Sequence, residues 1–300
     1  MTMKLLTRNI FYKILGIGLI LVLVSFWLWW RFIFTSPGRV FSDMLNTSLR
    51  TSSFTKRLIE PNDNQQFDQI IQAQSGSQNI ARSMTFISRS GNSAASVTTE
   101  SIGTPRDDYV RYVDIKTEQK NENGEPLDFS SILKVWAKTP ITPDGQSVAG
   151  QLFNDTLMGI VPKANLSKVA RQELLGFMAE HQVYKPDYGK LKRVWRDGRS
   201  VYVYDVEVNT EAYVALLKKF GNLVNISRLE NIRPDQYKNS PPLQFTFTID
   251  VLSRQLVQVA YTGTDRKEQY SGFGALVTNA IPAKAISIEE LQNRLQNLQR

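Results

Sequence analysis

One feature constrains this chain more than any other: the apolar stretch from Ile14 to Trp30 (ILGIGLILVLVSFWLWW), broken only by Ser25. As a helix at about 1.5 Å per residue it reaches roughly 25 Å, and Phe32, Ile33 and Phe34 beyond Arg31 lengthen it to the thickness of a bilayer core. Lys4, Arg8 and Lys13 precede it, and Lys13 and Arg31 can snorkel outward from its ends. Trp27, Trp29 and Trp30 gather at the distal end, where indoles favour the headgroup layer. With the early cations all on the proximal side, residues 1–13 are expected to stay cytoplasmic, residues 14–34 to span a membrane once, and the rest to lie outside, as in a bacterial envelope. A cleaved secretory signal is the competing reading. It needs small residues at the distal end, and Phe26 to Trp30 are bulky, which favours a retained anchor.

The anchor changes the meaning of the charge. Of the formal +8 over 300 residues, half comes from Lys4, Arg8, Lys13 and Arg31, leaving +4 for the rest. That balance is too modest for a polyanion-binding domain, and nucleic acid is not an expected partner. The absence of Cys removes disulfides, thiol nucleophiles and cysteine metal sites, and one histidine, His181, cannot build a multi-histidine centre. No cofactor or metal is expected.

Catalytic patterns are equally thin. Gly16-x-Gly18 falls inside the anchor and Gly272-x-Gly274 lacks the third glycine of a dinucleotide loop. Ser53/Lys56 and Ser131/Lys134 have Ser-x-x-Lys spacing without the Lys-Thr-Gly or Ser-Asp-Asn partner of acyl-transfer enzymes. Asp107 and Asp108 would form an acid/base pair only if the fold converged them on other carboxylates. A non-enzymatic protein, with no catalytic residue, is the expectation.

After a short linker at 35–40, Phe41, Met44, Leu45 and Leu49 fall at helical spacing. A Pro/Asn/Asp/Gln patch, Glu60 to Gln66, then separates this helix from a series of period-two runs. Met84–Ser88 with Ala95–Ser101, Tyr109–Glu118 with Ile132–Ala137, and Lys190–Arg196 with Val201–Val208 read as antiparallel hairpins, the last around Asp197-Gly198. Phe245, Phe247, Ile249 and Val251 alternate with polar residues, and strands near Leu256–Thr262 and Glu268–Phe273 follow. Helices are expected over Leu166–Gln182 and Asn209–Leu223, the second capped by Asn209 or Thr210. The fold class is therefore α+β: a transmembrane helix, then a curved antiparallel sheet over 41–280 covered on one face by helices. Residues 281–300 read as a terminal amphipathic helix opened by a Ser287/Glu290 capping box, which docks on the domain or on a partner.

Lys190, Lys192, Arg193, Arg196 and Arg199 form a basic cluster with Trp195 and Tyr202 nearby. It suits anionic lipid headgroups or an acidic envelope polymer. Charges that keep a sheet edge from pairing with another chain are the plainer explanation.

The order of elements, with DGRSVYVYDVEVNTEAYVALLKKF from Asp197 to Phe220 and FTFTIDVLSRQLVQVAYTG from Phe245 to Gly263, resembles the LolA/LppX-like superfamily of bacterial envelope lipoproteins. The resemblance covers about Phe41 to Phe273. It implies a half-barrel wrapped around helices and an apolar cavity, lined here by Tyr202, Tyr204, Phe245, Phe247 and Ile249 from strands and Leu174, Phe177, Leu217 and Phe220 from helices. The same residues would equally pack on one another as a closed core. Those lipoproteins attach through a lipidated cysteine or diffuse freely; with no Cys, this chain would use its anchor and would not shuttle. The expectation is a tethered binding domain for a lipid-like ligand. An envelope protein that recruits a partner through a sheet edge, the basic hairpin or the terminal helix is the alternative.

Overall fold

The computed structural model describes residues 2–62, 64–76, 78–91, 94–140, 152–275 and 280–298. Helix α1, Thr2–Leu28, continues through wider π-helical turns at Trp29–Phe34. Within it, Leu15–Phe34 is long and apolar enough to cross a membrane, and none of that window is buried. Helix α2, Pro37–Leu49, starts inside the segment expected to be a linker, with proline at its first position, where the missing N–H costs no helical bond.

Among the described residues twelve strands form one open sheet. They are β1 (Ser53–Asn62), β2 (Gln65–Gln74), β3 (Ile80–Arg89), β4 (Ala95–Gly103), β5 (Asp107–Thr117), β6 (Ala137–Pro140), β7 (Tyr184–Arg196), β8 (Arg199–Val208), β9 (Leu243–Asp250), β10 (Leu256–Tyr261), β11 (Lys267–Ser271) and β12 (Ile286–Ser287). The spatial order is β12-β6-β5-β4-β3-β2-β1-β11-β10-β9-β8-β7. Every pairing is antiparallel except β12 with β6. The chain lays down β1 to β6 outward from β1, then returns to its other side, so that β11 closes on β1 with Thr55 opposite Ser271.

Helices α3 (Leu152–Leu157), α4 (Lys168–Glu180) and α5 (Thr210–Val224) join α2 on the inner face of the sheet. Val40, Phe41, Met44 and Leu49 of α2, Leu174 and Met178 of α4, and Leu216 and Phe220 of α5 share one core with Tyr202 and Tyr204 of β8 and Phe245, Phe247 and Ile249 of β9. Thr246, Thr248 and Asp250 take the opposite face of β9, as the alternation requires. Asn209 caps α5 by accepting from the Ala212 N–H at 3.1 Å. Asp197 and Gly198 have φ of 50° and 74°, the left-handed pair that matches a two-residue hairpin to strand twist.

Two expectations change, and the terminal helix takes the first of its two expected places. The polar stretch around Glu60 to Gln66 is not a separator; it carries the end of β1 and the start of β2, paired through Pro61 and Gln66. The run Ile132–Ala137 is not the second strand of a hairpin. Its backbone turns, with Ile132 and Leu133 N–H both donating to Phe129 O and Lys134 at φ 62°; it meets β5 first in a lone parallel bridge of Leu133 to Tyr112, and the antiparallel ladder starts only at Ala137. Helix α6, Ile288–Asn297, capped by Ser287, docks on the domain: Leu291 is buried with Ile132 and Ala137.

Gly103, at the end of β4, marks a close approach of α3 to the sheet. A Cβ there would lie 2.7 Å from Leu152 Cβ and 2.8 Å from Phe153 N. Because one obstacle is backbone, Gly103→Ala should lower stability by about 1–3 kcal/mol in a denaturant titration. An unchanged midpoint would mean that α3 is free to move away.

Candidate functional site

The end of α1 is tied to the sheet by buried groups. Tyr202 Oη donates to Thr35 O at 2.8 Å and Tyr204 Oη to Pro37 O at 3.0 Å. Arg254, almost fully buried in the β9–β10 turn, donates to Phe34 O, stacks its guanidinium 4.5 Å from the Phe34 ring centre and pairs with Asp43 at 3.3 Å. The apolar helix thus enters the domain at a fixed place.

Beside that entry lies a groove of about 520 Å³ between α2, α4 and the start of β7. Phe41, Leu45, Leu175, Met178, Ala179 and Tyr184 give it an apolar floor. Lys168 and Arg171 supply cations from the first turns of α4, where the helix dipole disfavours them. Arg171 is held in place, its Nε donating to Asn46 Oδ1 at 3.1 Å and its Nη1 to Leu166 O at 2.8 Å. The one carboxylate of the lining, Asp43, is already paired with Arg39 and Arg254. Tyr184 donates to Ile160 O at 2.8 Å, and burial pushes its hydroxyl well above the usual tyrosine range, so it stays neutral. The volume falls within the range of small-molecule clefts, and an apolar floor with a cationic rim suits an amphiphile with an acidic head.

None of the nine residues expected around a cavity lines this groove. Tyr202, Tyr204, Phe245, Phe247, Ile249, Leu174 and Phe220 are buried against one another in the core, while Phe177 and Leu217 are half-buried. The basic cluster is on the edge hairpin: Lys190, Lys192, Arg193, Arg196 and Arg199 are all exposed. Lys190 pairs with Asp187 at 3.4 Å and Arg199 with Asp250 at 4.0 Å, while Arg193 donates to Ser200 Oγ and lies 5.6 Å from the Tyr202 ring centre. His181 is exposed at the end of α4 against Phe177. Asp107 and Asp108 do structural work, pairing with Lys138 and accepting from the Leu152 N–H. Among the described residues no group of three or more acidic or histidine side chains could hold a metal ion.

A buried polar cluster went unseen in the sequence. Lys163, in the segment before α4, is 1% exposed; its Nζ lies 3.6 Å from the Tyr270 ring centre and donates to Val161 O at 3.4 Å. Burial pushes its ammonium down to about 7, with Glu268 opposing the fall and Lys56 adding to it. Burial alone would raise the Glu268 carboxyl, but Lys56, the Tyr270 and Tyr261 hydroxyls and Lys163 together hold it below the usual range.

No protein-family model matches the chain, and no curated protein matches it.

Proposed function

We propose that this protein is a single-pass membrane protein whose extracytoplasmic domain, without catalysis, holds a lipid-like amphiphile in the α2–α4 groove. The groove carries the reading. Its floor is apolar, its rim holds Lys168 and Arg171, and its lining begins at Gly38, four residues beyond the apolar helix. An acyl chain would cover Leu45, Leu175 and Met178 while an acidic head meets the cations, in the manner of clefts whose few polar groups fix orientation. What supports the anchor is the length and exposure of Leu15–Phe34, its distal tryptophans and the cations preceding it. The order of elements that resembles the LolA/LppX-like superfamily agrees with ligand holding by a tethered domain.

The test is photo-crosslinking of the full chain in vesicles containing phosphatidylglycerol with a diazirine in its acyl chain. Labelled peptides should come from α1 and also from Leu175–Ala179. Ala179→Trp, which fills the groove, should cut the second set about tenfold, the equivalent of about 1.4 kcal/mol, and leave the first unchanged. Labelling of α1 alone would refute the groove; labelling of neither would refute the anchor.

A further inference from the structure

We propose that the tip of the β7–β8 hairpin is a second membrane contact, with Trp195 in the headgroup layer of an anionic leaflet and Lys192, Arg193, Arg196 and Arg199 against its phosphates. The proposal rests on α1 being a membrane anchor.

Cross-strand pairing sets the geometry. Arg193 sits opposite Tyr202 and Trp195 opposite Ser200, and directly opposed residues share a face, so Arg193 and Trp195 lie on the face where Tyr202 grips Thr35. From Tyr204 to Tyr202 the strand descends as the bound chain goes from Pro37 to Thr35, back towards the apolar helix. Continuing to Ser200 carries Trp195 about 7 Å further in that direction. The neighbouring turn agrees: Arg254 grips Phe34 itself, Val251 N–H donates to Ser200 O at 3.0 Å, and Leu252 between them is 58% exposed. The hairpin tip and this turn therefore sit level with the last residues of α1.

The side chains are those an interface would take. Trp195 is 75% exposed, although its ring is among the largest apolar groups of the chain. Charges that merely keep edge strand β7 from pairing would explain lysine and arginine, but not an exposed indole among them. Lys192 and Arg196 have no acidic partner among the described residues, and Asp197 is the single acid between Lys190 and Arg199. An indole flanked by free cations matches a headgroup layer of negative lipid. A contact here would also fix the tilt of the domain and hold the groove close to the bilayer.

The absence of native cysteine makes single-site spin labelling clean. The full chain would be labelled at Asp197→Cys, at Leu21→Cys in the helix, and at Thr264→Cys in the β10–β11 turn, then placed in phosphatidylcholine vesicles with and without phosphatidylglycerol. In the anionic vesicles the Asp197 site should become about threefold less accessible to a water-soluble relaxation agent, and the Thr264 site should not change. Lys192→Gln should weaken the docked state about fivefold, matching about 1 kcal/mol per cation, and Trp195→Ser should return the label to water. A water-exposed Asp197 label with a lipid-exposed Leu21 label would overturn the hairpin contact and leave the anchor standing. Water exposure at Leu21 would remove both.

Discussion

Replacing Lys163 with methionine should flatten the pH dependence of folding between about pH 7 and 10 and stabilise the protein on the acid side of that window. In the native protein Lys163 has a pKa lowered to about 7, whereas an unfolded lysine titrates near 10.4. Between those values the unfolded chain binds one more proton than the folded one. Stability must therefore rise with pH there, by about 1.4 kcal/mol per unit, and be least below the folded pKa. Above about pH 10 the sign reverses, because burial raises the hydroxyls of Tyr184, Tyr213, Tyr261 and Tyr270 above that of an unfolded tyrosine.

A methionine side chain in place of Lys163 would keep most of the packing against Tyr270 and Phe54 while removing the charge. Glu268 would retain Lys56 and both tyrosine hydroxyls, so the substitution does not leave a carboxylate alone. Lys163→Met should gain about 1–4 kcal/mol at pH 6 and converge on the parent near pH 10. Reversible denaturation of the full chain in detergent, repeated across pH, measures both slopes. A variant that keeps the parent's slope, or loses stability at pH 6, would show that Lys163 is not the titrating group.

That cluster also marks what the sequence could and could not disclose. Local devices were legible because their chemistry lies within a few residues: the Asp197-Gly198 turn, the Asn209 and Ser287 caps, and the alternation of Phe245, Phe247 and Ile249. Strands β1 and β2 were missed because TKRLIEPN and QQFDQIIQ carry polar residues on both faces, and Pro61 looked like a break when it ends a strand. The Lys163 cluster requires β1 to meet β11 and a loop to cover both, contacts between residues about a hundred or more positions apart. The groove is similarly non-local, since Arg171 reaches Asn46 across 125 residues. One signal for it was present: Lys168 and Arg171 stand in the opening turns of a helix, where acids are expected.

Phe247→Ala should cost about 3–5 kcal/mol, and that cost decides between the two meanings the inner face had in the sequence, ligand chamber or closed core. Phe247 is fully buried, stacked on Phe41 with centres 6.2 Å apart, and touched from other sides by Tyr184 and Phe245. Removing its ring leaves a space the neighbours cannot close without moving α2, whose start is fixed by Tyr202, Tyr204 and Arg254. Such a hole, lined by rings and aliphatic carbons, should stay dry and bind benzene, so benzene should recover part of the loss in Phe247→Ala and do nothing for the parent. Half-buried Leu217, cut to alanine, should cost under about 1.5 kcal/mol by the same denaturation measurement. A chamber shaped for a ligand would behave differently: Phe247→Ala would fold almost as stably as the parent, and a phospholipid, not benzene, would raise the stability of both. A closed core puts the proposed amphiphile outside it, in the α2–α4 groove, so the same pair of variants should retain the groove's crosslinks while losing stability to very different degrees.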